Sequence, residues 1–402
     1  MSAGVVVARD QSGVARDGGR QQPSDAGRGR HQPGDAGRDR AIDAVRAIAI
    51  GGVVLGHWLV TGLVLTADGL AQSSPLRAMP WLAPASWLFQ TLGLFFFAAG
   101  YAAARSRSSG PRGLAGLLRP LAGFVALWTV ALIAAAVAGA PDRTLRTVAM
   151  LAISPLWFLL PFAVLRSLTG PLRWAVRRWG LVVALPAVAV LALSDAGVRL
   201  LPLTVVSAWL VPYVFGLALH ERRLHRGGAL LLTGAIGMAV LVLVFGYPAS
   251  AVGVPGAGRS NLDPPSLFAL ALGTAQVGVA LLSRSWLNRR PSPRPVRLLN
   301  THALPIYLWH QSALVAVVGL AAVAAGGAVL GLHTTPDGPL WVTARMAWLP
   351  AFGVILIAAC HLGSRRGYTM SDGSERERPK EVIAVRRDSD PPSHSRAVRP
   401  PS

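Results

Sequence analysis

The chain has 402 residues, 52% of them hydrophobic and only 14% charged, with a mean hydropathy of +0.46. That balance excludes a string of ordinary soluble domains and indicates an integral membrane protein. A formal charge of +21 does not point to nucleic acid, because the arginines lie in tails and short loops between apolar runs rather than on one basic face.

Residues 1–40 are polar, rich in Gly, Asp and Arg, and hold a near-repeat, QPSDAGRGRH followed by QPGDAGRDRA. A stretch of this kind buries too little apolar surface to fold, so it reads as a disordered tail. It lacks the short apolar core of a cleavable signal peptide, which leaves the first span as the insertion signal.

That first span, residues 41–65, carries Asp43, Arg46 and His57 within an otherwise apolar run. Titratable groups are costly in hydrocarbon and mark candidate functional positions. At about 100° per residue, Arg46 and His57 fall within roughly 20° of each other around the helix, and Asp43 within about 60° of Arg46. A rise of about 1.5 Å per residue separates Arg46 from His57 by about 16 Å, too far for a direct bond. The stripe suits one extended ligand, with an anionic end at Arg46, oriented by Asp43, and a reacting group at His57. The structural alternatives are an arginine snorkelling to the headgroups and a histidine bonded to a neighbouring helix.

Nine further apolar segments follow, at 81–104, 114–138, 146–168, 179–194, 200–219, 229–247, 266–283, 299–325 and 340–362. The expected fold is therefore an all-α, polytopic bundle of about ten spans. Arginines concentrate in the loops after spans two, four, six and eight, which marks those loops and both termini as cytoplasmic. The expected organisation is a tail over 1–40, a membrane domain over 41–365 and a second disordered tail over 366–402.

Within the spans, Phe96, Phe97 and Gly100 read first as helix packing, with Gly100 permitting close backbone approach. Arg119 stands at the cytoplasmic edge of span three, where it either adds charge to the Arg46 site or serves topology. Span four carries Pro155, Trp157 and Phe158, and span nine a polar run of Asn300, His302, Tyr307, Trp309, His310 and Gln311. His310 lies about half-way through its span and is expected to face the same interior as His57 or to make a structural hydrogen bond. The long connection Tyr247–Pro265 is a lid, an acceptor-binding loop, or merely mobile. Cys360 is the sole cysteine, so no disulfide or thiolate cluster forms within one chain, and no metal-ligand spacing is present.

Taken together, the Asp43, Arg46 and His57 pattern resembles the opening motif of the acyltransferase 3 family of membrane O-acyltransferases. Phe96, Phe97 and Gly100, Trp157-Phe158 and Tyr307-Leu308-Trp309-His310 are similar to its later motifs. Ala99 stands where the family commonly has Ser, and its paired arginines before span three are reduced here to Arg119 and a more distant Arg112. The resemblance implies transfer of an acyl group, commonly acetyl, from acetyl-CoA or another acyl-CoA. The acceptor it implies is a hydroxyl of a surface polysaccharide, a lipid-linked sugar or a secreted metabolite, at the cell membrane. On this reading His57 is catalytic, and Asp43, Arg46, Arg119, Trp157, Tyr307 and His310 bind the substrates. No cofactor is held permanently, and the partners are acyl-CoA, carbohydrate and membrane lipid. The alternative function is a transporter or flippase for glycan or lipid, with His57 and His310 as a proton relay.

Overall fold

The computed structural model describes residues 39–106 and 115–368. The two polar tails lie almost wholly outside the described residues, as does Arg112. The described chain is mainly helical, with one hairpin and one long irregular connection. Eight helical segments are long and apolar enough to cross a membrane, and two shorter apolar helices, Gly227–Leu243 and Leu267–Leu282, accompany them. This is the polytopic all-α bundle expected.

The first helix, α1, runs Arg40–Val60 and is shared between two cores. Ile42, Val45, Ala49 and Val53 pack with Phe96, Phe97 and Tyr213. Val54 and Trp58, a turn further on, pack with Leu314, Val318 and Phe352. The helix stops five residues short of the expected end of the first span, because its last carbonyls are claimed from elsewhere. Arg345 donates to the carbonyls of Trp58 and Thr61, and the Leu65 amide donates to the His333 carbonyl instead of back into the helix. The chain then turns into an antiparallel hairpin, β1 (Gly62–Thr66) with β2 (Gly69–Ser73), in which Gly62 faces Ser73 and Thr66 faces Gly69. The hairpin is tied to the next elements by Thr144 and Thr147, which bond Leu70.

The second span is likewise broken. After α2 (Pro75–Ala78), Pro80 and Pro84 hold a 3-10 turn, Pro80–Ala85, which continues into α3 (Ser86–Phe89) and, past Gln90 and Thr91, into α4 (Leu92–Arg105). The Thr91 hydroxyl donates to the Ala49 carbonyl at 2.8 Å, so α1 lies directly on this break. Gly52 and Gly56 permit it: a Cβ at either would press on Thr91 or Phe89.

The rest of the bundle is α5 (Ala115–Val137), α6 (Asp142–Ile153), a 3-10 turn Ser154–Phe158, α7 (Leu159–Ser167), α8 (Thr169–Trp179), a 3-10 turn Gly180–Ala184, and α9 (Leu185–Asp195). It continues as α10 (Leu201–His220), α11 (Gly227–Leu243), α12 (Leu267–Leu282), α13 (Arg284–Arg289), α14 (Arg294–Thr301), α15 (Ala303–Ala325) and α16 (Pro339–Tyr368). The short fifth span gains length because α8 leads into α9 through the 3-10 turn, a continuous run Thr169–Asp195. Helices α4 and α10 cross at backbone contact, Gly100 against Tyr213 and Gly216 against Phe97, which is the packing role expected of Gly100.

The long connection after α11 is pinned rather than loose. Asn261, fully buried, donates to the carbonyls of Pro248 and Ser250. Trp87 donates to the Ala249 carbonyl, and the Ala251 amide donates to the Ser86 hydroxyl. Asp195 accepts from the Tyr247 hydroxyl at 2.7 Å and from the Leu267 amide at 2.9 Å, while Arg259 lies 3.7 Å from its carboxylate and 3.9 Å from the Tyr247 ring. Burial first, and then the bond to Asp195, push the Tyr247 hydroxyl up to about 12. Beyond the other end of α10, Glu221 is gripped by Arg173 and Arg177. Burial there would raise its carboxyl, but the arginine bonds outweigh it and hold the group below the ordinary range.

Candidate functional site

The last turn of α1 carries His57 to the edge of a cavity of about 170 Å³. Three segments close round it: the hairpin through Gln72, Ser73 and Ser74, the break before α4 through Phe89 and Gln90, and the long loop through Val252, Gly253 and Leu262. Trp157 and Tyr307 supply aromatic walls. Gln72 and Gly253 are exposed, so the cavity reaches the surface between hairpin and loop.

His57 is held from α15. Gln311, 1% exposed, places its Nε2 3.0 Å from Nδ1 of His57. With Nδ1 engaged, Nε2 is the nitrogen left for chemistry. An amide presents a donor or an acceptor to Nδ1 by turning over, so the ring can keep its neutral-state proton on either nitrogen. The Trp58 indole donates to the His310 carbonyl at 2.8 Å, locking the same turn of α1 to α15. His310 is fully buried, with its ring centroid 5.1 Å from that of His57. Its Nδ1–H donates to the Tyr307 carbonyl at 2.7 Å, and its Nε2 has no partner among the described residues. The Tyr307 ring lies 3.8 Å from that of Phe158, centroid to centroid, on the cavity side of a stack that runs on through Phe96 to Trp209.

Arg46 does not line this cavity. It lies near the opposite end of α1, half-buried, with no hydrogen bond or carboxylate within 4 Å among the described residues. The charges acting on it are those of Asp43 and Arg166. The arrangement therefore has two ends: a protonatable nitrogen at a polar cavity, and the Arg46 guanidinium, within the fields of Asp43 and Arg166, toward the other end of the helix.

A family model described as an acyltransferase domain, that of acyltransferase 3, matches residues 39–364. The chain belongs to the acyltransferase 3 family. Comparison with curated proteins and with solved structures returns no match.

In this acyltransferase the structure brings His57, His310, Tyr307 and Trp157 together at one end, and Asp43 with Arg46 at the other. Arg119 is exposed on α5, and the second cation beside Arg46 is Arg166. Residues that sequence reading left without a role are Gln311, Gln90 and Arg345. Gln311 is in the polar run of span nine, and only its reach to His57 distinguishes it. Arg345 interrupts an apolar span, so the cost of intramembrane charge applied to α16 as to α1 would have found it. Nothing local singles out Gln90.

Proposed function

We propose that this membrane acyltransferase moves a short acyl group, acetyl, from acyl-CoA to a hydroxyl of a glycan, a lipid-linked sugar or a secreted metabolite at the cell membrane. The observation that carries the reading is His57, half-buried and held through Nδ1, at a cavity lined by hydroxyl, amide and aromatic groups.

Arg46, within the field of Asp43 rather than bonded to it, receives the donor's phosphates from the cytoplasmic side, with Arg166 as its neighbour and Arg119 adding positive charge at the membrane edge. The thioester end of the donor reaches along α1 toward His57, a span of about 16 Å between the two side-chain positions. The acceptor hydroxyl enters the cavity, where Trp157 and Tyr307 offer ring faces and His310 backs the imidazole. His57 Nε2 takes the hydroxyl proton as the oxygen attacks the thioester carbon. The new C–O bond forms, the C–S bond breaks, and the leaving thiolate recovers the proton from the imidazolium. Positioned general-base help is worth about 10²–10⁴-fold.

The test is acyl transfer from radiolabelled acetyl-CoA in membranes carrying the wild-type chain, His57→Ala or Arg46→Ala. His57→Ala is expected to lose at least ~10²-fold in kcat, and Arg46→Ala to raise KM for the donor. Undiminished transfer by inserted His57→Ala protein would sink the proposal. Substrate appearing across the membrane with its mass unchanged would favour a transporter instead.

A further inference from the structure

The cavity beside His57 is uncharged. Among the described residues that line it there is no Asp, Glu, Lys or Arg, in a chain that holds 39 Lys and Arg and 18 Asp and Glu. Its polar wall consists instead of hydroxyls and amides: Thr61, Gln72, Ser73, Ser74, Ser86 and Gln90. A charge moved from water into such a place loses hydration and gains no counter-charge, whereas a hydroxyl exchanges one hydrogen bond for another.

Gln90 is the second observation. It is 7% exposed, and its Nε2 has no hydrogen-bond partner in the described structure. That nitrogen is closed off as the side chain stands, but buried amides are nearly always paired and an amide turns over readily, so Gln90, in the cavity wall, can offer its amide to a molecule from outside the chain. Its neighbours already have their partners: the Ser86 hydroxyl is engaged by Ala83 and Ala251, and that of Ser74 by Leu76. The size is informative too, since about 170 Å³ is close to the ~150 Å³ that accommodates one benzene ring. One six-membered ring fills it, and any further sugar unit would have to lie outside, in the opening between hairpin and loop.

We propose that this cavity selects a single uncharged, hydroxyl-bearing ring, with the Gln90 side-chain amide bonding one of its hydroxyls, and that rings carrying a carboxylate or an ammonium group are excluded. The inference rests on reading the cavity as the acceptor site.

The experiment is equilibrium binding to the purified, detergent-solubilised chain, read by ligand-observed NMR. Methyl β-glucoside, methyl β-glucuronide and methyl β-glucosaminide are compared at pH 7. The neutral glycoside is expected to bind at least tenfold tighter than either charged one. Gln90→Leu is expected to weaken the glucoside about tenfold without lowering the melting temperature, because it removes an unpaired buried donor rather than a structural bond. Gln90→Glu places a carboxylate in the wall and is expected to favour the glucosaminide over the glucuronide. Equal or tighter binding of a charged glycoside to the wild-type chain overturns the proposal, as does the absence of binding by all three. A Gln90→Leu chain that melts early while holding the glucoside normally overturns the role of Gln90. No acyl donor is present, so selective binding by a chain that transfers no acyl group counts against the proposed reaction and not against this selectivity.

Discussion

Arg345 is a fully buried arginine, without a carboxylate within 4 Å among the described residues, and its charge is met by carbonyl oxygens. Two of these are at the C-terminal end of α1, where the helix dipole is negative: Trp58 in its last turn and Thr61 just beyond it; the third is Gly331. The Trp341 and Phe352 rings lie 5.4 Å and 4.9 Å from its guanidinium carbon. Arg345→Met leaves three carbonyls without these bonds, at roughly 1–3 kcal/mol each. It is expected to lower the melting temperature of the solubilised chain markedly, and an unchanged value would remove Arg345 as the clamp on the histidine-bearing turn. Gln311 acts on the same turn from the other side. Gln311→Leu keeps the bulk and loses the bond to Nδ1, so it should lower kcat about 10–100-fold with KM for both substrates held, the pattern of a group needed only in the transition state. A rise in KM at constant kcat would assign Gln311 to binding instead.

Two elements support the surroundings of the cavity. The α4 and α10 pair brings the aromatic stack to the cavity only because Gly100 and Gly216 let the backbones touch. Gly216→Val has no space to occupy and should cost about 1–3 kcal/mol by overpacking, seen as a lower melting temperature together with lost glycoside binding. The Tyr247–Pro265 loop depends on its anchor at Asp195. The Tyr247 hydroxyl is held at about 12 against an ordinary value of 10, so the folded state binds its proton more tightly than the unfolded chain does. This contribution to stability is therefore complete below pH 10 and is lost as pH rises through about 12. Melting temperatures measured across that window should fall, and Tyr247→Phe should flatten the slope. An identical slope in the variant would show that the anchor is not proton-linked.

At the scale of the molecule, the eight long apolar helices and the two shorter ones would, if all ten cross in alternation, put the hairpin and the long loop on one side and the Arg173, Arg177 and Glu221 cluster on the other. The arginine bias of the loops predicts that the cluster faces the cytoplasm. Cys360, the one cysteine, is buried and can be replaced by serine to give a labelling background. In that background, Gln72→Cys should react with a membrane-impermeant maleimide on intact cells, and Arg178→Cys only after permeabilisation. The reverse result would invert the protein and move the cavity beside His57 to the side proposed for the donor.

Hydropathy and helical period are local properties, so the spans, the stripe on α1 and the family were legible in the order of the residues alone. Even the ambiguity over Gly100 was of a kind that composition narrows. Where α1 ends was not legible, because Arg345, nearly three hundred positions away in the chain, takes the carbonyls that would have continued it. The partner of His57 lay hidden for the same reason: Gln311 is 254 residues distant, and no local pattern distinguishes a glutamine that reaches an imidazole from one that does not. The second cation beside Arg46 and the uncharged wall at Gln90 are likewise products of packing. A residue's tendency to enter a membrane helix is written in its own side chain, but a cavity belongs to the several segments that surround it, and only their assembly determines its shape, its polarity and which buried groups are left without a partner.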